Sequence, residues 1–494
     1  MLTCYHTCCK SVRFVVFRGG KSVFDNAADA LTFIAEHDIA MVDLKVTALT
    51  GQWLHVTIPA SGFTQKHFEE GVGYDGSSGA GFSKVEDGDV AAMPDPTAAF
   101  VDPFCEHPTV SFLCDTVTAD SKKPFAGDPR AIAKRAEEHM RALGIADQAW
   151  MGPEYEFHVF DRVEIVDDPY EVAVVIRSSE VQSEGATPCI GNKRGYFRTP
   201  PGDQLHDIRS EIALVLEEMG VSVRYHHHEV GAPGQCEIEV DLDTLVQAGD
   251  RAMMIKYAVK NVARRHDMLA TFMPKPVFGE AGNGMHVHQK LDKGGRNLFY
   301  DDRQVNYANL SDTALRYIGG LLKHGRALTG LTNPSTNSFK RLVEGYEAPV
   351  NLFFSLGNRS AAIRVPRYAV SPEDKRIEYR PPDFTGNVYL TLAGMLMAGL
   401  DGIASKVDVA AENLGPFDVD ISKQDEAFRR QITPVPRSLS DALISLGEDH
   451  EFLLKGEVFS ESFINRWIDF KRSTDSAAVA ARPHPYEYQL YLDT

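Results

Sequence analysis

Cysteine is scarce in this sequence: seven in 494 residues, at positions 4, 8, 9, 105, 114, 189 and 236. An odd, scattered set does not make a disulfide framework and points to a reducing compartment. The cluster Cys4-Tyr5-His6-Thr7-Cys8-Cys9 has no second ligand pair at zinc-site spacing, so residues 1–22 are expected to be an N-terminal extension rather than a metal site. Basic charge is in deficit as well, 51 Lys and Arg against 69 Asp and Glu, a net charge of −18. A phosphate-backbone binder needs a concentrated basic surface, so no nucleic-acid partner is expected. Long apolar runs are missing. The first residues contain no apolar signal-peptide core, and the most apolar stretch, residues 388–400, is too short to cross a bilayer, so no membrane association is expected and the location should be cytoplasmic. Internal repeats and a Walker-type glycine–lysine loop are also lacking, which requires any nucleotide to be held in another way.

What remains is a chain with ample apolar content for a large core, 43% hydrophobic. Residues 23–40 carry apolar side chains at helical spacing, and strand-like runs follow at 39–46, 53–58 and 109–115. A Gly/Ser-rich loop, residues 71–79, lies between them, and Pro124 and Gly127 mark a linker. Beyond it Asp128 and Pro129 open a helix that Gly144 ends. Further helices are expected at 203–220, 245–265 and 312–324, alternating with strands rich in charged residues. The fold class is therefore α+β, a small, mostly-β domain over residues 23–123 and a large domain over 124–494.

Four segments place charged groups at i and i+2, which a strand puts on one face: Glu154-Tyr155-Glu156, Glu237-Ile238-Glu239, His286-Val287-His288 and Arg376-Ile377-Glu378-Tyr379-Arg380. The run His226-His227-His228-Glu229 joins them. A solvated sheet face explains any one such segment, but four together point to a concave face that gathers carboxylates, imidazoles and guanidinium groups. A donor set dominated by Glu, with one or two His and no Cys, suits Mg²⁺ or Mn²⁺. Arg341, Arg359, Arg364, Arg376 and Arg380 add the cations that phosphoryl groups require, and metals with arginines are what phosphoryl transfer needs. Glu239 itself reads as a strand-face charge.

The motifs Tyr74-Asp75-Gly76-Ser77-Ser78, Gly152-Pro153-Glu154-Tyr155-Glu156-Phe157, His226-His227-His228-Glu229, Thr271-Phe272-Met273-Pro274-Lys275-Pro276 and Gly284-Met285-His286-Val287-His288 follow one another along the chain. Asn337-Ser338-Phe339-Lys340-Arg341, Gly345-Tyr346-Glu347-Ala348-Pro349, Asn358-Arg359-Ser360 and the 376–380 segment complete the set. In order and spacing the sequence resembles the bacterial type I glutamine synthetase family over about residues 23–494. The resemblance implies a β-grasp-like N-terminal domain and a catalytic domain built on a curved antiparallel sheet, a funnel-like half barrel flanked by helices. It implies ATP-dependent ligation of ammonia to L-glutamate, giving glutamine through γ-glutamyl phosphate, with ATP as co-substrate and two or more Mg²⁺ or Mn²⁺ ions per site.

By family pattern, Glu156, Glu229 and Glu237 hold one cation and Glu154, His286 and Glu378 the second. Arg341, Arg380 and Gly282 match positions at glutamate; Arg359 and Arg364, positions at the transferred phosphoryl group; His288 and Arg376, positions at the nucleotide phosphates. Asp75, Ser78, Tyr196, Glu229 and Glu347 match the ammonium site, with Asp75 taking the first proton and Glu347 sitting on a flap that closes over the intermediate. The family assembles as two stacked hexameric rings, and the site is expected between adjacent subunits, Asp75 and Ser78 coming from the neighbour.

Three positions depart from the pattern. Ala281 stands where Asn is usual, before Gly282, and Glu373 where a basic residue often follows Pro372. Residues 405–432 contain no tyrosine, so regulation by tyrosine adenylylation of that loop is not expected. Ala281 leaves a γ-glutamyl-amine ligase, acting on an alkylamine or polyamine, as the alternative. Complete ligand sets oppose a non-catalytic relative.

Overall fold

A computed structural model describes residues 24–79, 88–182 and 189–494, the Ser422 side chain excepted; the proposed extension 1–22 and its cysteine cluster lie outside the described residues. The helix Ala27–Glu36 starts at Asn26, whose side chain accepts the Asp29 N–H, and packs on a five-stranded sheet. Its strands are β1 (Met41–Thr47), β2 (Trp53–Pro59), β3 (Val72–Asp75), β4 (Asp89–Val101) and β5 (Thr109–Thr118), in the order β2-β1-β5-β4-β3. β1 and β5 run parallel at the centre; the other pairs are antiparallel.

The second unit is built on β6 (Gln148–Phe160), β9 (Val223–His228), β10 (Gln235–Val240), β13 (Val287–Lys293), β15 (Asn351–Leu356), β16 (Ala361–Val365) and β17 (Ile377–Tyr379). Their order is β15-β16-β17-β13-β6-β10-β9, with the short strands β11 (Asp243–Thr244) and β12 (Leu269–Thr271) on β6 and β14 (Arg296–Asn297) on β13. A two-stranded hairpin, β7 (Arg162–Asp168) with β8 (Glu171–Arg177), stands apart. Helices Pro129–Ala142, His206–Glu218, Leu245–Arg265, Asp312–Lys323 and Val388–Ala404 share one apolar core with the sheet. Asp128 caps the first through the Arg130 and Ala131 N–H groups, as expected, and Ser311 caps the fourth. The second begins three residues later than expected, because Asp203 is committed to a buried ion pair with Arg209. Among the described residues no helix is long and apolar enough to cross a membrane.

The two units are joined by buried charge. Arg130 donates to Asp250 with Nε and Nη2 (both 2.8 Å), and reaches Asp115 (2.7 Å) and Asp95 (2.9 Å) on the first sheet. Burying a guanidinium costs several kcal/mol unless carboxylates surround it, so the four groups fix the orientation of the units jointly.

Glycine sets the closest helix contact. Residues 388–404 cross the helix 312–323 so tightly that a Cβ on Gly320 would sit 2.1 Å from the Ala398 carbonyl oxygen, and one on Gly399 would sit 2.1 Å from the Tyr317 ring. Gly→Ala in a helix ordinarily stabilises by about 1 kcal/mol. Here the sign should reverse: Gly320→Ala is expected to destabilise by roughly 1–3 kcal/mol through overpacking. Gly447→Ala, whose nearest neighbour is an ordinary 3.7 Å contact with Ile468, should not. Thermal unfolding of the two variants checks the pair.

Candidate active site

Alternation on β6 turns Glu154 and Glu156 to one face, and antiparallel register sets them opposite Glu239 and Glu237 of β10. β13 carries His288 opposite Gly152, and β17 sets Glu378 opposite His288. Adjacent strands thus crowd carboxylates into one buried patch, which explains why charged residues recur at i and i+2.

At one end the charges are matched. His286 Nδ1 lies 2.9 Å from Glu154 Oε2, and His288 Nε2 lies 2.9 Å from Glu154 Oε1. Glu378 accepts from Arg364 Nε and Arg380 Nη1, both at 2.5 Å. Burial alone would raise Glu154, but the two imidazole hydrogen bonds outweigh it and hold the carboxyl well below the usual range. Burial opposes ionisation of Glu378 in the same way, and Arg380 above all brings it down. His286 is lowered by burial and by Arg380. Ligand atoms of Glu154, His286 and Glu378 all lie within 4.8 Å of one another.

At the other end they are not. His227, Glu229 and Glu237 form a second group of the same compactness, with His227 Nε2 3.1 Å from Glu237. Burial, then the charge of Glu156, raises Glu229 well above its ordinary value; burial, then Glu154 and Glu156, does the same to Glu237. Glu156 is tied down from the side, accepting the Gly284 N–H (2.7 Å). Hard-oxygen groups that cannot all ionise together in a dry site are the donor chemistry of Mg²⁺ or Mn²⁺, and the residues fit such ions.

A cavity of about 490 Å³ opens beside this second group, lined by Glu156, Tyr196, Glu229, Gly282, Arg341 and Arg380 and, on the segment that follows Arg341, by Gly345, Tyr346 and Glu347, with Arg359 beside them. Arg341 is buried and anchored on the Pro381 carbonyl (2.8 Å), while Nη2 donates to His286 (3.3 Å). Arg376 donates to His288 (3.3 Å). A Cβ on Gly282 would collide with the Pro274 carbonyl at 2.2 Å, so the backbone can lie against the cavity only as glycine. Glu347 holds the left-handed conformation, φ 55°, unusual for a residue with a side chain, and Arg380 donates to its carbonyl (3.5 Å).

The structure gathers the expected Glu154, Glu156, Glu229, Glu237, His286, His288, Glu378, Arg341, Arg359, Arg364, Arg376, Arg380, Tyr196, Gly282 and Glu347 into one region. Asp75 and Ser78 are not in it. They sit at the exposed end of β3, where Ser77 and Ser78 donate to the Asp75 carboxylate and lower it to about 2.

Glu239 lies on the same strand face as Glu237, where it is buried, hydrogen-bonded to Arg224 (3.3 Å), and grouped with Glu154 and Glu237. Its register opposite Glu154 was the missed signal. Gln235 and Asn283 also escaped notice. Gln235 donates to the Gly282 carbonyl (2.9 Å) and to Asn283 (3.2 Å), and Asn283 accepts at the same oxygen from His158 (2.8 Å). Asn283 is thus engaged beneath the cavity and does not stand in for the Asn that Ala281 replaces.

Residues 126–491 match the family model for the glutamine synthetase catalytic domain, and residues 38–119 match that for the glutamine synthetase beta-Grasp domain. The glutamine synthetase of Frankia alni is 44% identical over 482 residues, covering 95% of this chain and 100% of the relative. That of Azotobacter vinelandii is 45% identical over 475 residues, covering 94% and 99%. Among solved structures, a cryo-EM structure of Plasmodium falciparum glutamine synthetase superposes with a TM-score of 0.86 at 28% identity, covering 95% of this chain and 100% of that one. GmaS without ligand superposes with a TM-score of 0.78, also at 28% identity, covering 94% and 100%. Sheet order, carboxylate face and these likenesses agree: the chain is an enzyme of the glutamine synthetase family, with a β-grasp domain ahead of its catalytic domain.

Proposed function

We propose that the enzyme joins ammonia to L-glutamate at the expense of ATP, with residues 23–123 and 124–494 as its two domains and residues 1–22 as an extension. The observation that carries this reading is the pairing of an acidic cavity wall, Glu156, Glu229 and Glu347, with the guanidinium groups of Arg341, Arg359 and Arg380 across one 490 Å³ space. Glu156, Glu229 and Glu237 hold one divalent cation, and Glu154, His286 and Glu378 a second. Bound there, such ions supply charge neutralisation for phosphoryl groups. Arg341 and Arg380, with the Gly282 backbone, bind glutamate. Arg359 and Arg364 compensate charge on the transferred phosphoryl group, and His288 and Arg376 face the nucleotide phosphates.

The γ-carboxylate of glutamate attacks the γ-phosphorus of ATP, forming γ-glutamyl phosphate and ADP. Ammonium must then lose a proton, since only NH₃ is nucleophilic. Tyr196, Glu229 and Glu347 line the cavity where it binds; Asp75 and Ser78 of a neighbouring subunit complete the site, Asp75 accepting the proton. Attack on the acyl phosphate releases phosphate and glutamine. Glu347 closes the flap against water, which would otherwise hydrolyse the intermediate. Assembly as two stacked hexameric rings provides the neighbour, and the enzyme works in the cytoplasm.

Ala281 supports a second reading, a γ-glutamyl-amine ligase, because its methyl group lines the cavity where the family carries a larger amide. Product analysis with ammonium, methylamine and putrescine separates the two. Ammonium is expected to give kcat/KM at least about tenfold above either amine, since each added methylene must be fitted into an anionic pocket; the reverse order would establish the second reading.

The raised carboxyls also predict a pH dependence. Groups whose pKa is higher in the folded state contribute stability below their unfolded value and lose it as pH rises through the folded value. Glu229 and Glu237 behave so, whereas the depressed Glu154 and Glu378 contribute fully above about pH 5 and stay constant. As pH rises above about 5 the metal-free protein should therefore lose the contribution of Glu229 and Glu237, and Mn²⁺ should raise Tm more the higher the pH. An Mn²⁺ effect on Tm that does not grow as pH rises would contradict the assignment.

A further inference from the structure

The flap that carries Glu347 is held by something other than its own backbone. Gly345, at φ 90°, and Glu347, at φ 55°, give the loop a conformation with little intrinsic preference. There is space on both sides of it, the cavity already described and a second of about 490 Å³ lined by Glu344, Gly345, Glu347 and Ala348. Between the two unusual residues stands Tyr346. The ammonium groups of Lys275 and Lys193 lie over its ring, 3.6 and 4.0 Å from the centroid. Among the described residues the Tyr346 hydroxyl has no hydrogen-bond partner, so the face of the ring makes the contact.

The lysines arrive on fixed supports. The Lys275 N–H donates to Asn337 Oδ1 (2.6 Å), Asn337 Nδ2 returns a bond to the Lys275 carbonyl (3.1 Å), and Lys275 Nζ donates to the Glu280 carbonyl. The Lys193 N–H donates to Glu280 Oε2 (3.1 Å). Lys275 thus stands on the segment that ends at Gly282, and Lys193 three residues before Tyr196. Burial, and then the charge of Lys193, pushes the Lys275 ammonium down to about 8, so the two cations repel each other. The electron-rich face of an aromatic ring attracts both.

We propose that Lys193 and Lys275 are positioning residues that clamp Tyr346, and that this double cation–π contact is the latch holding Glu347 over the cavity. The latch joins the flap to the glutamate-side loop and to the loop of Tyr196, so that closure registers both. It rests on the reading of Glu347 as the group that shields an acyl-phosphate intermediate from water.

The test compares Tyr346→Phe, Tyr346→Leu, Lys275→Met, Lys193→Met and the double lysine variant in the full-length assembled enzyme. Tyr346→Leu and the double variant should release about three- to thirtyfold more ADP per product amide than wild type, the range that loss of such contacts spans. KM for ATP should hold within about twofold, because nucleotide binding precedes closure. Tyr346→Phe should keep the wild-type ratio, and each single lysine variant should fall between. Hydrogen exchange of the peptide covering 343–349, with glutamate and a non-hydrolysable ATP analogue bound, should rise in the same order. Coupling and exchange that stay at wild-type values in Tyr346→Leu and in the double variant would overturn the latch, as would a Tyr346→Phe enzyme as uncoupled as Tyr346→Leu. Exchange that follows the expected order while no variant changes the ADP ratio would leave a clamp with no role in shielding, which overturns the proposal as stated. Wild type that forms no amide from any amine would instead refute the ligase reading, with the exchange series still deciding the latch.

Discussion

Like charge in a dry place is the constraint around which this enzyme is arranged. Six carboxylates, Glu154, Glu156, Glu229, Glu237, Glu239 and Glu378, lie on or beside neighbouring strands of one sheet. Desolvating them side by side costs several kcal/mol per charge unless something positive stands between. The chain supplies that positive charge unevenly. Glu154 and Glu378 face two imidazoles and two guanidinium groups and stay ionised, whereas Glu229 and Glu237 face one imidazole and each other and are forced towards the neutral form. A divalent cation at either end would balance that charge, most strongly where the protein's own cations are absent.

The rest of the molecule keeps that tension in register. β6 is central to it, paired with β10 on one side and β13 on the other, so that one strand orders the side chains of both groups. Behind the sheet the glycine-mediated approach of the helices 312–323 and 388–404 removes slack from the core, and Arg130 ties the first unit to the second through three aspartates. Placing the end of β3 depends on that tie. The Asp75 carboxylate, held ionised by Ser77 and Ser78, is presented outward at the end of β3, as the proposed completion of the site by a second copy requires.

Much of this was legible in the sequence because it is written locally. Period-2 alternation named Glu154, Glu156, Glu237 and Glu378, and capping chemistry bounded the helix between Asp128 and Gly144. What was not legible depends on register and tertiary contact. Glu239 shares its alternation with Glu237, and only pairing with Glu154 shows that it is buried. The helix 206–218 lost its first turn to the Asp203–Arg209 pair, which no local rule encodes. Lys193, Lys275 and Tyr346 come from three separate segments and meet only in the fold. The hairpin β7–β8 carries alternation on a solvated ribbon and contributes nothing to the site, and so gave no chemical signal.

Counting cations tests the central idea most directly. Electron paramagnetic resonance of Mn²⁺ titrated into metal-free protein should find two bound ions per chain, falling to one in Glu237→Gln and to one in Glu378→Gln, each variant keeping the other site. A wild-type stoichiometry below two, or variants that retain both ions, would show that the carboxylate face is balanced by the protein's own charges and is not a two-cation site.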